Sequence, residues 1–103
     1  MFTTKEDTIV AQATPSGKSA LSIVRVSGQN LNTLIYSITK KNLLKARYSY
    51  LINIYCPKTN QIIDKCIVVY YKGPNSYTGE DMLEISCHGS PAITNKIKKT
   101  LIG

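Results

Sequence analysis

The chain has 103 residues, 43% of them hydrophobic, so it can form one domain with a modest core and does not have the composition of a disordered chain. Its 13 Lys and Arg residues against 6 Asp and Glu residues give a formal net charge of +7. No apolar run approaches the roughly 20 residues of a membrane span, and acids in MFTTKEDTIV occupy the place of a signal peptide's apolar run. We therefore expect a cytoplasmic protein that does not associate with membranes.

The first part of the chain predicts two strands and a helix. Residues 8–14 and 20–26 are rich in β-branched side chains, which favours strands. The helix is expected to follow Ser27, whose hydroxyl is a candidate N-cap. Four apolar residues then recur at helical spacing: Leu31, Leu34, Ile35 and Ile38.

The second part predicts three further strands and a second helix. The strands are expected at residues 48–55, 62–71 and 82–88, and the first two are expected to form a hairpin. Ser90 and Pro91 have the character of an N-cap and a first helical residue, so the last helix is predicted to begin there. The order ββαβββα indicates an α+β domain with a five-stranded sheet that is mixed and largely antiparallel.

The stretch GKS at residues 17–19 does not complete a nucleotide-binding P-loop. That motif reads G-x-x-x-x-G-K-[ST], and Gln12 occupies the position of its first glycine. A strand is predicted after the loop, so the helix N-terminus that would hold a phosphate is missing. We expect no GTPase site within these residues.

The three cysteines do not form a predicted metal site. Cys56, Cys66 and Cys87 are far apart in sequence, and the adjacent pair Cys87-His88 lacks the usual spacing of zinc ligands. Alternation along a strand also puts the Cys87 and His88 side chains on opposite faces, which argues against a catalytic dyad. We expect reduced thiols, no metal and no catalytic residue.

Two charged residues lie inside otherwise apolar strands. Arg25 occurs in LSIVRVS and Glu84 in MLEISCH, where a charge must be paired or must face solvent or a ligand. One interpretation is that they pair with each other or lie at a sheet edge, and the other is that they converge on one polar ligand. In the strand that contains Glu84, alternation assigns a polar face to Met82, Glu84, Ser86 and His88 and a core face to Leu83, Ile85 and Cys87.

Two further groups of charges lie outside the strands. Residues 40–47, KKNLLKAR, contain four basic residues, which are either a solvated face or a contact for RNA phosphates. No aromatic residue interleaves with them, and this favours the solvated face. Glu80 and Asp81 precede a strand, so we expect them to order a loop or to contact a second subunit.

Two blocks of sequence resemble the tRNA-modification GTPase family MnmE, also called TrmE. They are DTIVAQATPSGKSALSIVRVSG at residues 7–28 and GPNSYTGEDMLEISCHGS at residues 73–90. The resemblance implies that residues 1–103 are a single folate-binding and dimerisation domain, similar in fold to the tetrahydrofolate-binding domain of aminomethyltransferases. It also implies a longer chain, whose helical and GTPase domains are absent here.

The resemblance further implies a function for the whole protein. Such proteins form homodimers and work with an FAD-dependent partner, MnmG, to install an aminomethyl-type group on carbon 5 of the wobble uridine of certain tRNAs. A tetrahydrofolate derivative, 5-formyl- or methylene-tetrahydrofolate, is the implied cofactor. GTP, potassium and magnesium would belong to the absent GTPase domain, and the present domain alone would not be catalytic.

The family's folate-contacting arginine and glutamate fall on Arg25 and Glu84, and Tyr77, Ser86 and His88 are further expected contacts. A carboxylate can accept two neighbouring N–H groups from a pterin edge, and a guanidinium donates to carbonyl or carboxylate oxygens. The loop SGKSA and Ser90 depart from the family's glycine-rich pattern. Two alternatives remain open, an RNA-binding module centred on residues 40–47 and a scaffold that only dimerises.

Overall fold

The computed structural model describes residues 2–3, 9–12, 21–42, 44–74, 76 and 79–102. The strands are β1 Phe2–Thr3, β2 Ile9–Gln12, β3 Leu21–Gly28, β4 Ser49–Tyr55, β5 Ile62–Tyr71 and β6 Asp81–His88, and the helices are α1 Asn32–Thr39 and α2 Pro91–Ile102. Apart from the short β1, this is the predicted order ββαβββα. The GKS stretch lies outside the described residues.

All six strands form one sheet in the order β1-β2-β3-β6-β5-β4, and every neighbouring pair is antiparallel. The predicted hairpin of β4 and β5 is confirmed by antiparallel pairing from Ser49↔Val69 to Tyr55↔Ile62, with one register shift between Ile54 and Tyr55. The α+β class is therefore confirmed, with antiparallel pairing throughout the described strands. Because β3 and β6 are the two central strands, the residues they carry do not lie at a sheet edge.

The core lies between one face of the sheet and the two helices. β3 and β6 alternate between the two faces, and Val24, Val26, Leu83 and Ile85 on the helix-covered face are 0% exposed. Burying each such side chain contributes about 1.5–3 kcal/mol to folding. The helices add four residues to the same cluster: Ile35, Ile38, Ile97 and Leu101. The opposite face of the sheet is covered by neither helix.

The two helices begin differently from each other. α2 begins at Pro91, as predicted. The expectation that Ser27 caps α1 is wrong, because β3 continues to Gly28 and α1 begins only at Asn32. The β3–β6 ladder runs as far as the pair Gly28↔Asp81, and its cross-strand bonds hold Ser27 in an extended conformation.

Neither helix in the described part of the chain is both long and apolar enough to cross a membrane. The longer one, α2, has 12 residues. A helical span of the hydrocarbon core takes roughly 20.

Candidate functional site

Arg25 and Glu84 lie directly opposite each other in the β3–β6 ladder. Arg25 Nε donates a hydrogen bond to Glu84 Oε2 over 2.9 Å, and this contact is also an ion pair. Directly opposed residues of an antiparallel pair project to the same face, with Cβ atoms about 5 Å apart, so the register alone brings the two side chains together. The mutual pairing that the sequence left open is present, and it occurs in the centre of the sheet.

The Arg25–Glu84 pair is accessible from the face of the sheet that the helices leave open. The Arg25 side chain is 40% exposed and that of Glu84 is 21% exposed. The row of the sheet that contains the pair continues to Ala11 on one side and to Val69 on the other, and both are half-buried. A ligand approaching this open face could therefore contact the guanidinium and the carboxylate together.

Aliphatic side chains form the next row of the open face. Ile23 and Ile67 flank Ser86, and Leu51 follows Ile67 on β4. Leu51 is 63% exposed and Ile67 is 43% exposed. This face thus combines a charged pair with adjacent exposed aliphatic side chains.

The other predicted contacts are placed at different distances from the pair. Ser86 lies two residues from Glu84 on the same face, about 7 Å along the strand. His88 lies two residues further, at the end of β6, and its ring is held elsewhere. Tyr77 lies outside the described residues. The structure thus brings Arg25, Glu84 and Ser86 together and leaves His88 about 13 Å away from Glu84 along the strand.

The His88 ring is bound to Asp64, a residue that the sequence analysis missed. Asp64 accepts a hydrogen bond from the His88 backbone N–H over 2.9 Å, and its Oδ1 lies 2.8 Å from His88 Nδ1. The Asp64 side chain is 10% exposed and that of His88 is 66% exposed. Burial raises the pKa of Asp64, but the hydrogen bonds and the charge of His88 outweigh it and hold this pKa below its ordinary value. An acid embedded in the strand IIDKCIVVYY was the available signal, the same that marked Arg25.

Asp81 orders the loop that leads into β6, which is one of the two roles expected from the sequence. Its Oδ1 accepts a hydrogen bond from the Gly73 backbone N–H over 3.0 Å, and its Oδ2 accepts one from the Tyr70 hydroxyl over 3.2 Å. Ser76 in the same loop donates to the backbone carbonyl of Glu80. These donors satisfy the carboxylate, and Asp81 is only 5% exposed, a burial that the sequence analysis did not predict.

The basic segment 40–47 contacts aromatic rings in the folded chain. Lys40 Nζ lies 5.0 Å from the centroid of the Tyr55 ring, Lys45 Nζ lies 4.6 Å from that of Tyr48, and Arg47 Cζ lies 5.6 Å from that of Tyr71: three cation–π contacts. Tyr55 and Tyr71 come from β4 and β5, so their proximity could not be read from the local sequence. A cavity of about 290 Å³ adjoins this segment, and its lining includes Lys40, Lys41, Lys65, Asn53 and Tyr55.

Cys66 and Cys87 are buried structural thiols. Each is 1% exposed, and burial raises the pKa of both thiols. Cys87 Sγ donates to the Ser22 carbonyl over 3.5 Å on the core side of β6, while His88 is exposed, so the predicted separation of Cys87 from His88 is confirmed. Among the described residues no group of three or more His, Cys, Asp or Glu side chains could hold a metal ion.

The sequence matches a family model over residues 8–103, that of the GTP-binding protein TrmE N-terminus. This range includes all of the described chain except β1. The chain belongs to this family. The range that matches the family model includes both central strands and the Arg25–Glu84 pair that joins them.

Curated relatives agree with the TrmE assignment. The chain is 47% identical over 91 residues to the tRNA modification GTPase MnmE of Helicobacter acinonychis, with 88% of this chain and 20% of that protein covered. It is 50% identical over 93 residues to the protein of the same name in Aliarcobacter butzleri, with 90% and 21% covered. For the protein of that name in Francisella philomiragia the identity is 48% over 97 residues, with 94% and 21% covered. The chain thus spans about a fifth of the length of the relatives it matches.

Proposed function

We propose that this chain is the folate-binding and homodimerisation module of a tRNA-modifying GTPase. In this proposal it binds a tetrahydrofolate derivative, 5-formyl- or methylene-tetrahydrofolate, on the open face of the sheet. The whole protein, acting in the cytoplasm with an FAD-dependent MnmG partner, would add an aminomethyl-type group to carbon 5 of the wobble uridine of tRNA. The GTPase activity would belong to a domain outside residues 1–103.

The observation that carries the proposal is the half-exposed Arg25–Glu84 pair in a TrmE N-terminal sequence. The pair occupies the two central strands and projects away from both helices. Core stability does not call for a charged pair at this position, because exposed ion pairs contribute only about 0–1 kcal/mol. A ligand that used both charges would give a reason for their presence in strands that are otherwise apolar.

The chemistry of the pair suits a reduced pterin. The Glu84 carboxylate has two acceptor oxygens, and the ion pair with Arg25 engages Oε2. The adjacent N–H groups of an aminopyrimidinone edge are matched to such a carboxylate, and the guanidinium can donate to the carbonyl oxygen of the same ring. Ile23 and Ile67 in the next row offer aliphatic surface to the flat rings, and the net charge of +7 attracts the anionic glutamyl tail.

The test is calorimetric titration of the chain with 5-formyltetrahydrofolate. Arg25→Ala and Glu84→Ala are each expected to weaken binding by about 2–5 kcal/mol, because each leaves a polar ligand group and the other charge without its partner. The control variants Arg47→Ala and Glu80→Gln change the charge on loops and are expected to bind as the parent does. A folded parent chain that gives no heat, or equal losses in the controls, would refute the folate assignment.

Dimerisation and the partners are tested separately from folate. Sedimentation of the chain with and without 5-formyltetrahydrofolate measures its oligomeric state, and the proposal expects a dimer. A dimer that binds no folate would leave only the scaffold function. A pull-down with purified MnmG, using the full-length protein, tests the partner assignment.

A second candidate function is contact with tRNA phosphates through segment 40–47. The observation that favours it is the cavity beside this segment, which is lined by Tyr55 and by three lysines, Lys40, Lys41 and Lys65, with Lys40 over the Tyr55 ring. Such a surface predicts tRNA affinity that falls steeply with salt and that survives Glu84→Ala. Replacement of Lys40 and Lys41 by Gln should weaken binding and reduce the salt slope, and an unchanged slope would refute this role.

A further inference from the structure

A cavity of about 230 Å³ lies on the side of the molecule where the β4–β5 turn meets α2. Three of its lining residues come from the turn, Cys56, Pro57 and Lys58, and three from α2, Lys96, Lys99 and Thr100. Neither the Arg25–Glu84 pair nor segment 40–47 contributes to it. It is therefore separate from both surfaces discussed above.

Backbone hydrogen bonds close the turn that carries Cys56. Asn60 N–H donates to the Cys56 carbonyl over 2.8 Å and Cys56 N–H donates to the Gln61 carbonyl over 2.8 Å, which closes the turn. Asn60 adopts a left-handed conformation with φ of 59°, and this lets the chain reverse. Thr59 N–H also donates to the Cys56 carbonyl, over 3.3 Å.

Positive charge surrounds the cavity. Lys96 and Lys99 are three residues apart on α2 and so share one face of the helix, and Lys58 adds a third cation from the turn. All three lysines are exposed at the cavity mouth, and no acidic residue is among its lining residues. The pKa of Cys56 is lowered, because hydrogen bonding to Thr59 and to the Lys58 backbone, together with the charge of Lys96, outweighs the effect of burial.

Cys56 differs from the other two thiols in each of these respects. It is half-buried and opens into a basic cavity, whereas Cys66 and Cys87 are enclosed in the core. The pKa of Cys56 is lowered while that of Cys66 and of Cys87 is raised by burial. Reactive cysteines are found in accessible, electropositive surroundings of this kind, and buried apolar thiols are inert.

We propose that Cys56 and the cavity lined by Lys58, Lys96 and Lys99 form a modification site for small anionic disulfides of the glutathione-disulfide class. The lysines attract the carboxylates of the disulfide, and the cavity accepts one half of it. This inference is independent of folate binding, because it uses none of the residues on the open face of the sheet.

The reaction is a thiol–disulfide exchange. The Cys56 thiolate attacks one sulfur of the anionic disulfide, a new S–S bond forms, and the original S–S bond breaks. The departing thiolate carries away the electron pair, so Cys56 is oxidised to a mixed disulfide and one half of the reagent is reduced. Attack by a second small thiolate on the mixed disulfide restores Cys56.

The experiment compares an anionic with a neutral disulfide on the intact chain. Dithiobis(nitrobenzoate) carries carboxylates, dithiodipyridine carries no charge, and both report reaction by absorbance. We expect one fast thiol in the native chain and three thiols in denaturant. Glutathione disulfide followed by peptide mass mapping should place the adduct on Cys56, and Cys56→Ser should abolish the fast phase.

Matched lysine variants test the role of the cavity. The double variant Lys96→Gln/Lys99→Gln should lower the ratio of anionic to neutral rate constants by about three- to tenfold, because it removes two attracting charges. The control Lys45→Gln/Lys72→Gln has the same net charge and should change this ratio by less than about twofold. Equal ratios in the two double variants, an adduct on Cys66 or Cys87, or a native Cys56 that reacts no faster than the denatured chain would overturn the proposal.

Discussion

The pairing of Arg25 with Glu84 predicts a small contribution to stability and a large one to binding. Replacing Glu84 by Gln or Arg25 by Gln removes one charge with little change in side-chain volume. If the pair serves a ligand and not the fold, these variants should unfold almost as the parent does. We therefore expect their effects on the free energy of unfolding and on folate affinity to differ widely.

The magnitude follows from exposure. Arg25 and Glu84 are 40% and 21% exposed at the side chain, so solvent screens their attraction. Double-mutant cycles on exposed pairs give about 0.2–1 kcal/mol, and the short Nε–Oε2 contact places this pair near the upper end, at about 0.5–1 kcal/mol. Asp81, at the start of β6, is a buried carboxylate for comparison with Glu84, because its side chain is 6% exposed and it accepts two hydrogen bonds. Asp81→Asn should cost about 2–3 kcal/mol.

Urea denaturation followed by circular dichroism measures the coupling energy of the pair and the cost of Asp81→Asn. The four chains of the Arg25/Glu84 cycle give the coupling energy, and an unchanged m-value confirms that the unfolding transitions are comparable. A coupling above about 2 kcal/mol would exceed what an exposed pair supplies. That result, or a Glu84→Gln variant as unstable as Asp81→Asn, would show that the pair supports the fold and would refute our reasoning.

Three further predictions concern the fold. The pKa of Asp64 is lowered in the folded chain, so its contribution to stability is present above the ordinary value of 3.8 and is lost as the pH falls through the lower folded value. Measuring the free energy of unfolding as a function of acid pH should show this loss. The Asp64→Asn variant should not show it. Gly73→Ala should destabilise the chain by about 1–3 kcal/mol in urea, because a Cβ atom there would lie 2.8 Å from the backbone carbon of Glu80. Leu83→Ala, at 0% exposure, should cost about 2–5 kcal/mol by the same measurement, whereas Leu51→Ala, at 63% exposure, should cost less than about 0.5 kcal/mol.

Each of these has a result that would contradict it. An Asp64→Asn chain whose stability declines below pH 4 as steeply as the parent's would show that other carboxylates cause the decline. Wild-type stability in Gly73→Ala would mean that the loop can move away from the added methyl group. Similar losses for Leu83→Ala and Leu51→Ala would mean that the two faces of the sheet are buried alike.

Much of the fold could be predicted because strand alternation is a local property. The pattern of MLEISCH assigned Glu84 and Ser86 to one face and Leu83 and Ile85 to the other, as the structure has them. A charge within an apolar strand likewise marked Arg25 and Glu84 before their register was known. The expected cap at Ser27 failed because the pairing of β3 with β6, an interaction between distant segments, overrides a local preference.

The remaining features depend on partners that are distant in sequence. Asp64 and His88 are 24 residues apart, and only the β5–β6 pairing brings them into contact. The burial of Asp81 depends on donors from Tyr70 and from Gly73, which the sequence does not identify as its neighbours. For the same reason the cavity at Cys56 could not be predicted, since α2 provides half of its lining.

The order of the strands places the Arg25–Glu84 pair where the two halves of the sheet meet. The described strands divide into an amino-terminal half, β1 to β3, and a carboxy-terminal half, β4 to β6, and the β3–β6 ladder is the one strand pairing that joins them. Arg25 and Glu84 are 59 residues apart and lie opposite each other across this ladder. Anything bound across both side chains would clamp the halves together, so occupancy should slow hydrogen exchange of the amides along β3 and β6 more than along the outer strands.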